Sequence, residues 1–236
     1  MNRLEVVLSP ALYPYYESDN SIVVIIDILR ATTAICTAFE YGASAIIPVA
    51  TVEEALKYKE KGYLTGAERN GEKLEGFDFG NSPFDYMTEK IKGKEIVLTT
   101  TNGTQAIEMA KNAETIVIGA FTNMTALKNW ILAKNKNVLL LCSGWKNKFN
   151  LEDSLFAGAM THELYYSGLY NDMSDSALSC MYLYQMAFKD PYRFLSHSSH
   201  KRRLAQLGLK NDIKYALTPD QTNKIPIYDN GKIITA

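Results

Sequence analysis

The chain has 236 residues, of which 47% are hydrophobic and 22% are charged. These fractions are typical of a folded protein that buries a sizeable core, and they exclude a chain that is mainly disordered. The 25 Lys and Arg residues nearly balance the 26 Asp and Glu residues. A broad basic surface for nucleic acid or for an anionic membrane is therefore not expected.

The N-terminus and the cysteines bear on the cellular compartment. The first residues lack the basic region and the long apolar region of a signal peptide, and the apolar run 22–28 is too short to cross a bilayer. Cys36, Cys142 and Cys180 include no CxxC pair, so neither a zinc ribbon nor a disulfide scaffold is supported. We expect a cytoplasmic protein without a membrane partner.

Strand patterns and helix patterns alternate along most of the chain. The run Ser21–Asp27 is apolar up to its final acid, as in a strand that is buried on both faces. Strands are predicted at 4–8, 21–27, 45–49, 63–67, 95–99, 115–118, 137–142, 212–217 and 225–228. Helices are predicted at 31–41, 51–62, 104–111, 123–134, 151–166, 176–188 and 192–207.

This order of elements predicts the α/β fold class, as layered α/β/α with a mostly parallel sheet and a helix-rich C-terminal portion. We interpret residues 1–236 as a single unit, and two lobes are an alternative for which the sequence defines no boundary. The segments IIDILRATTAI and VLTTTNGTQAI are similar, because each has the pattern of a strand, a polar turn and a helix. We favour an ordinary repeated βα unit over an internal duplication.

Ligands of open α/β sheets bind beyond the carboxyl ends of the strands. The first unusual strand end is Asp27-Ile28-Leu29-Arg30-Ala31-Thr32-Thr33. Asp27 could bind Mg²⁺ or attack phosphorus, and Arg30 could bind an anion through two parallel hydrogen bonds. The alternative is structural, with Thr32 or Thr33 capping the helix and Asp27 paired to Arg30.

The second unusual strand end is Thr99-Thr100-Thr101-Asn102-Gly103-Thr104. Backbone N–H groups at a helix start, together with hydroxyl groups, form a site for an anion. An ordinary helix cap followed by a glycine turn is the alternative. Four threonines in six residues exceed what a cap requires, so we favour the anion site.

The third unusual strand end leads from Cys142 to the adjacent acids Glu152 and Asp153 at a helix start. These acids could be metal ligands or acid/base groups, but acids in a first turn also stabilise the helix dipole. Trp145 either lines a cleft or belongs to the core. Cys142 is a better candidate for a buried thiol than for a nucleophile, because Lys148 stands where cysteine-dependent phosphatases carry arginine.

Residues 68–84 form the longest predicted loop, and long loops are usually functional or mobile. Glu68 and Arg69 directly follow a strand, and the alternative to a site is a solvated ion pair. Gly71 and Gly76 have the spacing of a P-loop, but Phe77 replaces its lysine. Further on, His200 lies in the basic cluster 196–204, which either presents cations to an anionic substrate or forms a solvated helix face.

Several motifs together resemble the 2-phosphosulfolactate phosphatases, the ComB family of coenzyme M biosynthesis. They cover nearly the whole chain, and their shared order is far more specific than any one of them. The segments are VVIIDILRATTAICTAFEYGA, GAERNGEKLEGFDFGNSP, LTTTNGTQA, LLCSGW…FNLEDSLFAGA and HSSHKRRLAQLGLKNDIKYAL…IP. The chain departs from the family pattern at Ala67, Gln105 and Lys201, where the family commonly has glycine, arginine and glycine.

The resemblance implies a ComB-like α/β fold and a Mg²⁺-dependent phosphatase. The implied reaction converts (2R)-2-phospho-3-sulfolactate to 3-sulfolactate and phosphate. We assign the catalytic role to Asp27, Arg30, Glu68 and Arg69, and the metal to Asp27, Glu152 and Asp153. The residues expected to bind the substrate are Thr32, Thr33, Asn81, Ser82, Thr100, Thr101, Asn102, Gly103, Thr104 and His200.

The expected partner is a small anionic phosphorylated substrate, and a homodimer is left open. One alternative function is a phosphatase of another small phosphorylated hydroxy acid. A second is a protein that binds an anionic metabolite without catalysis. The carboxylates at the predicted strand ends argue against the second alternative, because they repel an anion unless a cation neutralises them.

Overall fold

Eleven strands form one sheet in the computed structural model, which describes residues 2–16 and 19–236. Their order across the sheet is β5-β4-β6-β3-β11-β10-β7-β2-β8-β1-β9. The strands are β1 (Arg3–Val7), β2 (Ser21–Ile26), β3 (Ala45–Pro48), β4 (Leu64–Arg69), β5 (Glu72–Lys73), β6 (Glu95–Thr99), β7 (Thr115–Gly119), β8 (Asn137–Cys142), β9 (Asp172–Met173), β10 (Pro226–Asp229) and β11 (Lys232–Thr235).

Helices alternate with these strands, so the predicted α/β class with a mostly parallel sheet is confirmed. All six residues of β2 are buried, as expected for a central strand that is covered on both faces. The helices are α1 (Ala31–Glu40), α2 (Val52–Glu60), α3 (Gly103–Ala110), α4 (Met124–Lys134), α5 (Leu151–Tyr165), α6 (Asp175–Ala187), α7 (Pro191–Phe194), α8 (Ser199–Gln206) and α9 (Lys210–Ala216).

The parallel strands fall into two groups that run in opposite directions. One group contains β7, β2, β8 and β1, and the other contains β3, β6 and β4. The C-terminal hairpin of β10 and β11 joins the groups through antiparallel pairings with β7 and β3. The sequence predicted a mostly parallel sheet, but not this reversal at its centre.

Despite this reversal, residues of the two groups of strands lie close together. Ile25 of β2, Leu98 of β6 and Ile233 of β11 line one narrow crevice together with the first turns of α1 and α3. The carboxyl ends of β2 and β6 therefore lie close together, although four strands separate them in the sheet order. The turns that follow β2 and β6 therefore also lie next to each other.

Two predicted elements in the C-terminal part are wrong. The segment 212–217, predicted as a strand, forms most of α9 and its C-cap Leu217, and Asp212, Ile213 and Ala216 of the helix are buried. The apolar side chains at 213, 215 and 217 alternate as in a strand, but the buried positions also follow the spacing of one helix face.

The predicted helix 192–207 is interrupted at Ser198. The Ser198 backbone leaves the helical region, and its side chain accepts a hydrogen bond from the N–H of Lys201 at the start of α8. Serine is a common N-cap residue, so Ser198 could have indicated the start of a new helix. The continuous helical pattern of 192–207 obscured this indication.

Gly158 allows α5 and α6 to pack at close distance. A methyl group at this position would overlap the carbonyl oxygen of Cys180 on α6. Because α5 is straight helix at this point, no positive φ is required and only the close approach demands glycine.

We predict that Gly158→Ala destabilises the protein by about 3 kcal/mol, because the overlap with backbone forces α5 and α6 apart. Helix propensity alone would give a gain of about 1 kcal/mol for the same change. Urea unfolding of both proteins measures the difference. A variant as stable as the original protein would show that the two helices separate without cost.

Candidate active site

A cleft that is partly open to solvent lies where the carboxyl ends of β2, β4, β6 and β8 converge. We call it the acid cleft. Polar side chains from four of the predicted motifs meet in it, although they are far apart in sequence. The residues that line it are Asp27, Leu29, Arg30, Glu68, Asn70, Gly71, Asn81, Thr101, Asn102, Trp145, Lys146, His200, Arg203 and Leu204.

Asp27 follows β2, and its carboxylate is the least satisfied acid of the cleft. It is 6% exposed, and its Oδ1 accepts one long hydrogen bond of 3.4 Å from the N–H of Ala31. Burial, together with the charges of Glu68 and Glu152, raises the pKa of Asp27 to about 6, and His200 and the Ala31 N–H oppose the shift. A buried carboxylate with one weak donor is available to bind a cation or to attack an electrophile.

The turn after β6 lies directly against Asp27. A Cβ at Gly103 would come within 2.7 Å of the Ala31 Cβ and 3.1 Å of Asp27 Oδ2, so glycine is needed for this approach. Thr100 and Thr104 hold the turn, because their hydroxyls bond to backbone of the same turn at 3.0–3.5 Å. Thr101 and Asn102 remain to line the cleft.

Glu68 at the end of β4 is held by the loop that follows it. Its carboxylate accepts hydrogen bonds from the Gly71 N–H and, at 3.4 Å, from the Thr101 hydroxyl. The Arg69 side chain extends to β6 and donates to Thr99 Oγ1 at 3.1 Å. It also donates to the Glu68 carbonyl of its own strand at 2.7 Å. Glu68 therefore lines the cleft, whereas Arg69 fastens β4 to β6.

Arg30 lines the cleft, but two acceptors already engage its guanidinium. It donates to Asp212 Oδ2 of α9 at 2.5 Å and to the Gly71 carbonyl at 2.6 Å. Arg30 and Asp212 are each about 95% buried, so this ion pair is removed from water. The pair ties the start of α1 to the loop after β4 and to α9.

Asp153 has both carboxylate oxygens occupied and does not line the cleft. Oδ1 accepts from the Ile28 N–H at 2.9 Å, and Oδ2 accepts from the Gly144 N–H and the Asn150 amide at 3.0 and 2.8 Å. Burial, followed by the charges of Asp27 and Glu152, raises the pKa of Asp153, and these donors oppose the shift. Asp153 thereby connects the turns that follow β2 and β8.

Glu152 lies behind His200. It is fully buried, its Oε1 is 2.5 Å from His200 Nδ1, and its Oε2 accepts from the Ser198 hydroxyl at 3.3 Å. His200 itself lines the cleft. The buried carboxylate therefore fixes the orientation of an imidazole at the surface of the site.

Thr32 and Thr33 are predicted substrate-binding residues that the structure places outside the cleft. Their hydroxyls donate to the carbonyls of Asp27 and Ile28 at 2.9 Å, which holds the turn after β2. Their role is structural, but it differs from the alternative stated for the sequence, because neither threonine caps α1 and Arg30 pairs with Asp212 instead of Asp27.

Asn81 and Ser82 lie at the other end of the cleft. Asn81 lines it, is 4% exposed and has no partner for Oδ1 among the described atoms. Ser82 lines an adjoining pocket that it shares with Asn81 and Arg30. Cys142 is fully buried and burial raises the pKa of its thiol, in agreement with a structural thiol.

Several residues of the cleft were not predicted as site residues. Asp212 does not line the cleft but holds Arg30, and the strand predicted at 212–217 gives no indication of this role. Lys146 and Arg203 were not assigned, although the spacing of His200 and Arg203 places both on one face of α8. That spacing is a signal that the sequence contains, provided that α8 is known to be a helix.

Two structural features are absent from residues 2–16 and 19–236. No group of three or more His, Cys, Asp or Glu side chains lies close enough together to form a metal site. No helix in these ranges has the length and apolar character needed to span a membrane.

A buried acid and a threonine-rich turn at converging strand ends stand where open α/β sheets bind their ligands. The family model described as 2-phosphosulpholactate phosphatase matches residues 7–231. The chain therefore belongs to the 2-phosphosulfolactate phosphatase family, whose members are classed as phosphoric monoester hydrolases.

Relatives with curated names agree with this family. A protein of Thermotoga petrophila is 43% identical over 211 residues, which cover 89% of this chain and 90% of the relative. A protein of Caldanaerobacter subterraneus subsp. tengcongensis is 39% identical, covering 94% and 97%, and one of Clostridium acetobutylicum is 35% identical, covering 98% and 100%. Each of the three is named a probable 2-phosphosulfolactate phosphatase.

We predict that Asp212→Asn destabilises the protein by about 3–5 kcal/mol, because it leaves the buried Arg30 charge without its counter-charge. Asp175→Asn is the matched control, since Asp175 is also in the first turn of a helix but is exposed. The control should lose less than about 1 kcal/mol in urea unfolding. Equal losses in the two variants would contradict a special role for the ion pair.

We predict that Asp27→Asn stabilises the metal-free protein above pH 6. Between pH 4 and 6 the folded protein binds more protons at Asp27 than the unfolded chain, so this group makes stability fall as the pH rises. In EDTA, the variant should be more stable by up to about 3 kcal/mol at pH 7.5 and nearly equal to the original protein at pH 4. A loss of stability at pH 7.5 would mean that ionised Asp27 is well accommodated.

Proposed function

We propose that this protein is a Mg²⁺-dependent phosphatase that hydrolyses (2R)-2-phospho-3-sulfolactate to 3-sulfolactate and phosphate, as in coenzyme M biosynthesis. The family membership and the names of the relatives support the phosphatase activity. The observation that carries the proposal is the acid cleft, which brings Asp27 and Glu68 together with the Thr101–Asn102 turn.

The donor set of the cleft fits Mg²⁺. This ion prefers oxygen ligands, keeps several waters, and usually binds through one or two carboxylates and the phosphate of the substrate. A cluster of three protein ligands is therefore not required. Asp27 is the best candidate, because its carboxylate is buried, poorly satisfied and within the electrostatic reach of Glu68 and Glu152.

In our proposal Glu152 and Asp153, the other predicted metal ligands, hold the groups around Asp27 in place. Glu152 holds His200, and Asp153 holds the backbone that follows β2. When bound, Mg²⁺ would offset the charges of these acids and of the substrate and polarise the phosphoryl group.

The remaining side chains bind and orient the phosphoryl group. We place the phosphate against the Thr101 hydroxyl and the Asn102 side chain, at the turn that Gly103 allows to approach Asp27. Phosphoryl transfer depends mainly on such positioning and on charge. In this arrangement Arg30 and Arg69 act by holding the walls of the cleft, and Asp27 either coordinates the metal or attacks phosphorus.

The cytoplasmic location stays a prediction of the sequence, and a homodimer stays an open alternative.

We predict phosphate release from 2-phospho-3-sulfolactate in Mg²⁺ and none in EDTA. Asp27→Asn should lower kcat by at least about 100-fold, since it removes the charge at the reacting centre. Glu75→Gln is the matched control, because Glu75 is an exposed acid of the neighbouring loop and does not line the cleft. Phosphate and product are measured separately, which distinguishes hydrolysis from elimination or isomerisation.

Two outcomes would contradict the proposal. Near-normal activity of a folded Asp27→Asn variant would remove Asp27 from the chemistry. Tight binding of the substrate without release of phosphate would favour the alternative of a metabolite-binding protein, and release only from other phosphorylated hydroxy acids would change the substrate.

A further inference from the structure

The wall formed by Trp145, Lys146 and Arg203 gives the acid cleft a basic side. The Arg203 guanidinium carbon is 5.0 Å from the centre of the Trp145 ring, and Lys146 Nζ is 4.8 Å from it. All three residues line the cleft. We call them the basic wall.

The backbone fixes the position of the basic wall. Trp145 and Lys148 exchange two backbone hydrogen bonds of 2.9 and 3.0 Å, and Lys146 and Asn147 between them have left-handed φ angles of 52° and 58°. This is a tight turn with little freedom. Arg203 lies on α8, one turn after His200, and both side chains face the cleft.

The cations of the basic wall differ from the other arginines of the site. Arg30 is paired with Asp212, and Arg69 is bonded to Thr99. Within residues 2–16 and 19–236, neither Lys146 nor Arg203 forms an ion pair with a carboxylate. Two like charges beside one aromatic ring repel each other, and an anion placed between them would relieve that repulsion.

We propose that the basic wall binds the sulfonate of the substrate, while the phosphate binds beside Asp27. This inference rests on the proposed function and divides its site in two. The lining of the cleft contains the cations Lys146 and Arg203 as well as the acid Asp27, so a substrate with two different anionic groups has one preferred orientation. A guanidinium beside an indole ring is weakly hydrated and planar, which suits a weakly hydrated sulfonate.

A pair of substrates tests the assignment. 2-Phospholactate has a methyl group in place of the sulfonatomethyl group of 2-phospho-3-sulfolactate and keeps the phosphate and the carboxylate. Arg203→Ala and Lys146→Met should each lower kcat/KM for 2-phospho-3-sulfolactate by about 10- to 100-fold. The same variants should change kcat/KM for 2-phospholactate by less than about threefold, because the lost partner is absent from that substrate.

Arg202→Ala and Lys148→Met are the matched controls. Each removes one exposed cation next to a wall residue, and neither residue lines the cleft. They should leave kcat/KM for both substrates within about twofold. Equal losses for both substrates in Arg203→Ala and Lys146→Met would overturn the sulfonate assignment and place the cations at the phosphate or the carboxylate.

Product binding separates this proposal from the proposed hydrolysis. Calorimetry should show that the original protein binds 3-sulfolactate at least about tenfold more tightly than lactate, and that Arg203→Ala removes the difference. That result without any phosphate release would reject the hydrolysis and keep the sulfonate subsite. Equal binding of 3-sulfolactate and lactate by the original protein would overturn the subsite, whether or not phosphate is released.

Discussion

The placement of four carboxylates in and behind one buried cleft is the constraint on which the rest of the site depends. Ionised acids that share a region of low dielectric repel one another and lose their hydration, so each needs a partner. Asp153 takes backbone and amide N–H groups, Glu152 takes His200 and Ser198, and Glu68 takes the loop after β4. Asp27 is left with one long hydrogen bond, and burial raises the pKa of both Asp27 and Asp153.

These pairings also explain why elements from distant parts of the chain meet at the cleft. Asp153 at the start of α5 holds the turn after β2, and Asp212 of α9 holds Arg30 at the start of α1. The C-terminal hairpin joins the two groups of parallel strands, so that the turns after β2 and β6 come into contact at Gly103. The two segments with similar sequence patterns are the two halves of this contact. Their similarity reflects a shared local structure, and it does not by itself require a duplication.

The sequence was sufficient for the elements whose pattern is local. The apolar run of β2, the turn after it and the threonine-rich turn after β6 predicted the α/β class and included Asp27, Arg30, Thr101 and Asn102 of the cleft. The sequence was insufficient for hydrogen bonds between residues that are far apart along the chain. Nothing near Arg30 in sequence indicates Asp212, and nothing near Asp153 indicates the N–H of Ile28. The strand predicted at 212–217 failed for a related reason. Alternating apolar residues fit both a strand and one face of a short helix, and tertiary burial decides between them.

The uneven satisfaction of the four acids connects stability to function. Protein sites that must bind a cation or react are often held in arrangements that the folded chain alone would not favour. In this chain burial raises the pKa of Asp27 and of Asp153, but hydrogen bonds occupy both oxygens of Asp153 and only one long bond reaches Asp27. Within residues 2–16 and 19–236, no ion pair joins Lys146 or Arg203 of the basic wall to Asp27. A cation from solution and an anionic substrate can then each bind at a charge that has no counter-charge in the described part of the chain. This is the electrostatic condition for binding both at once.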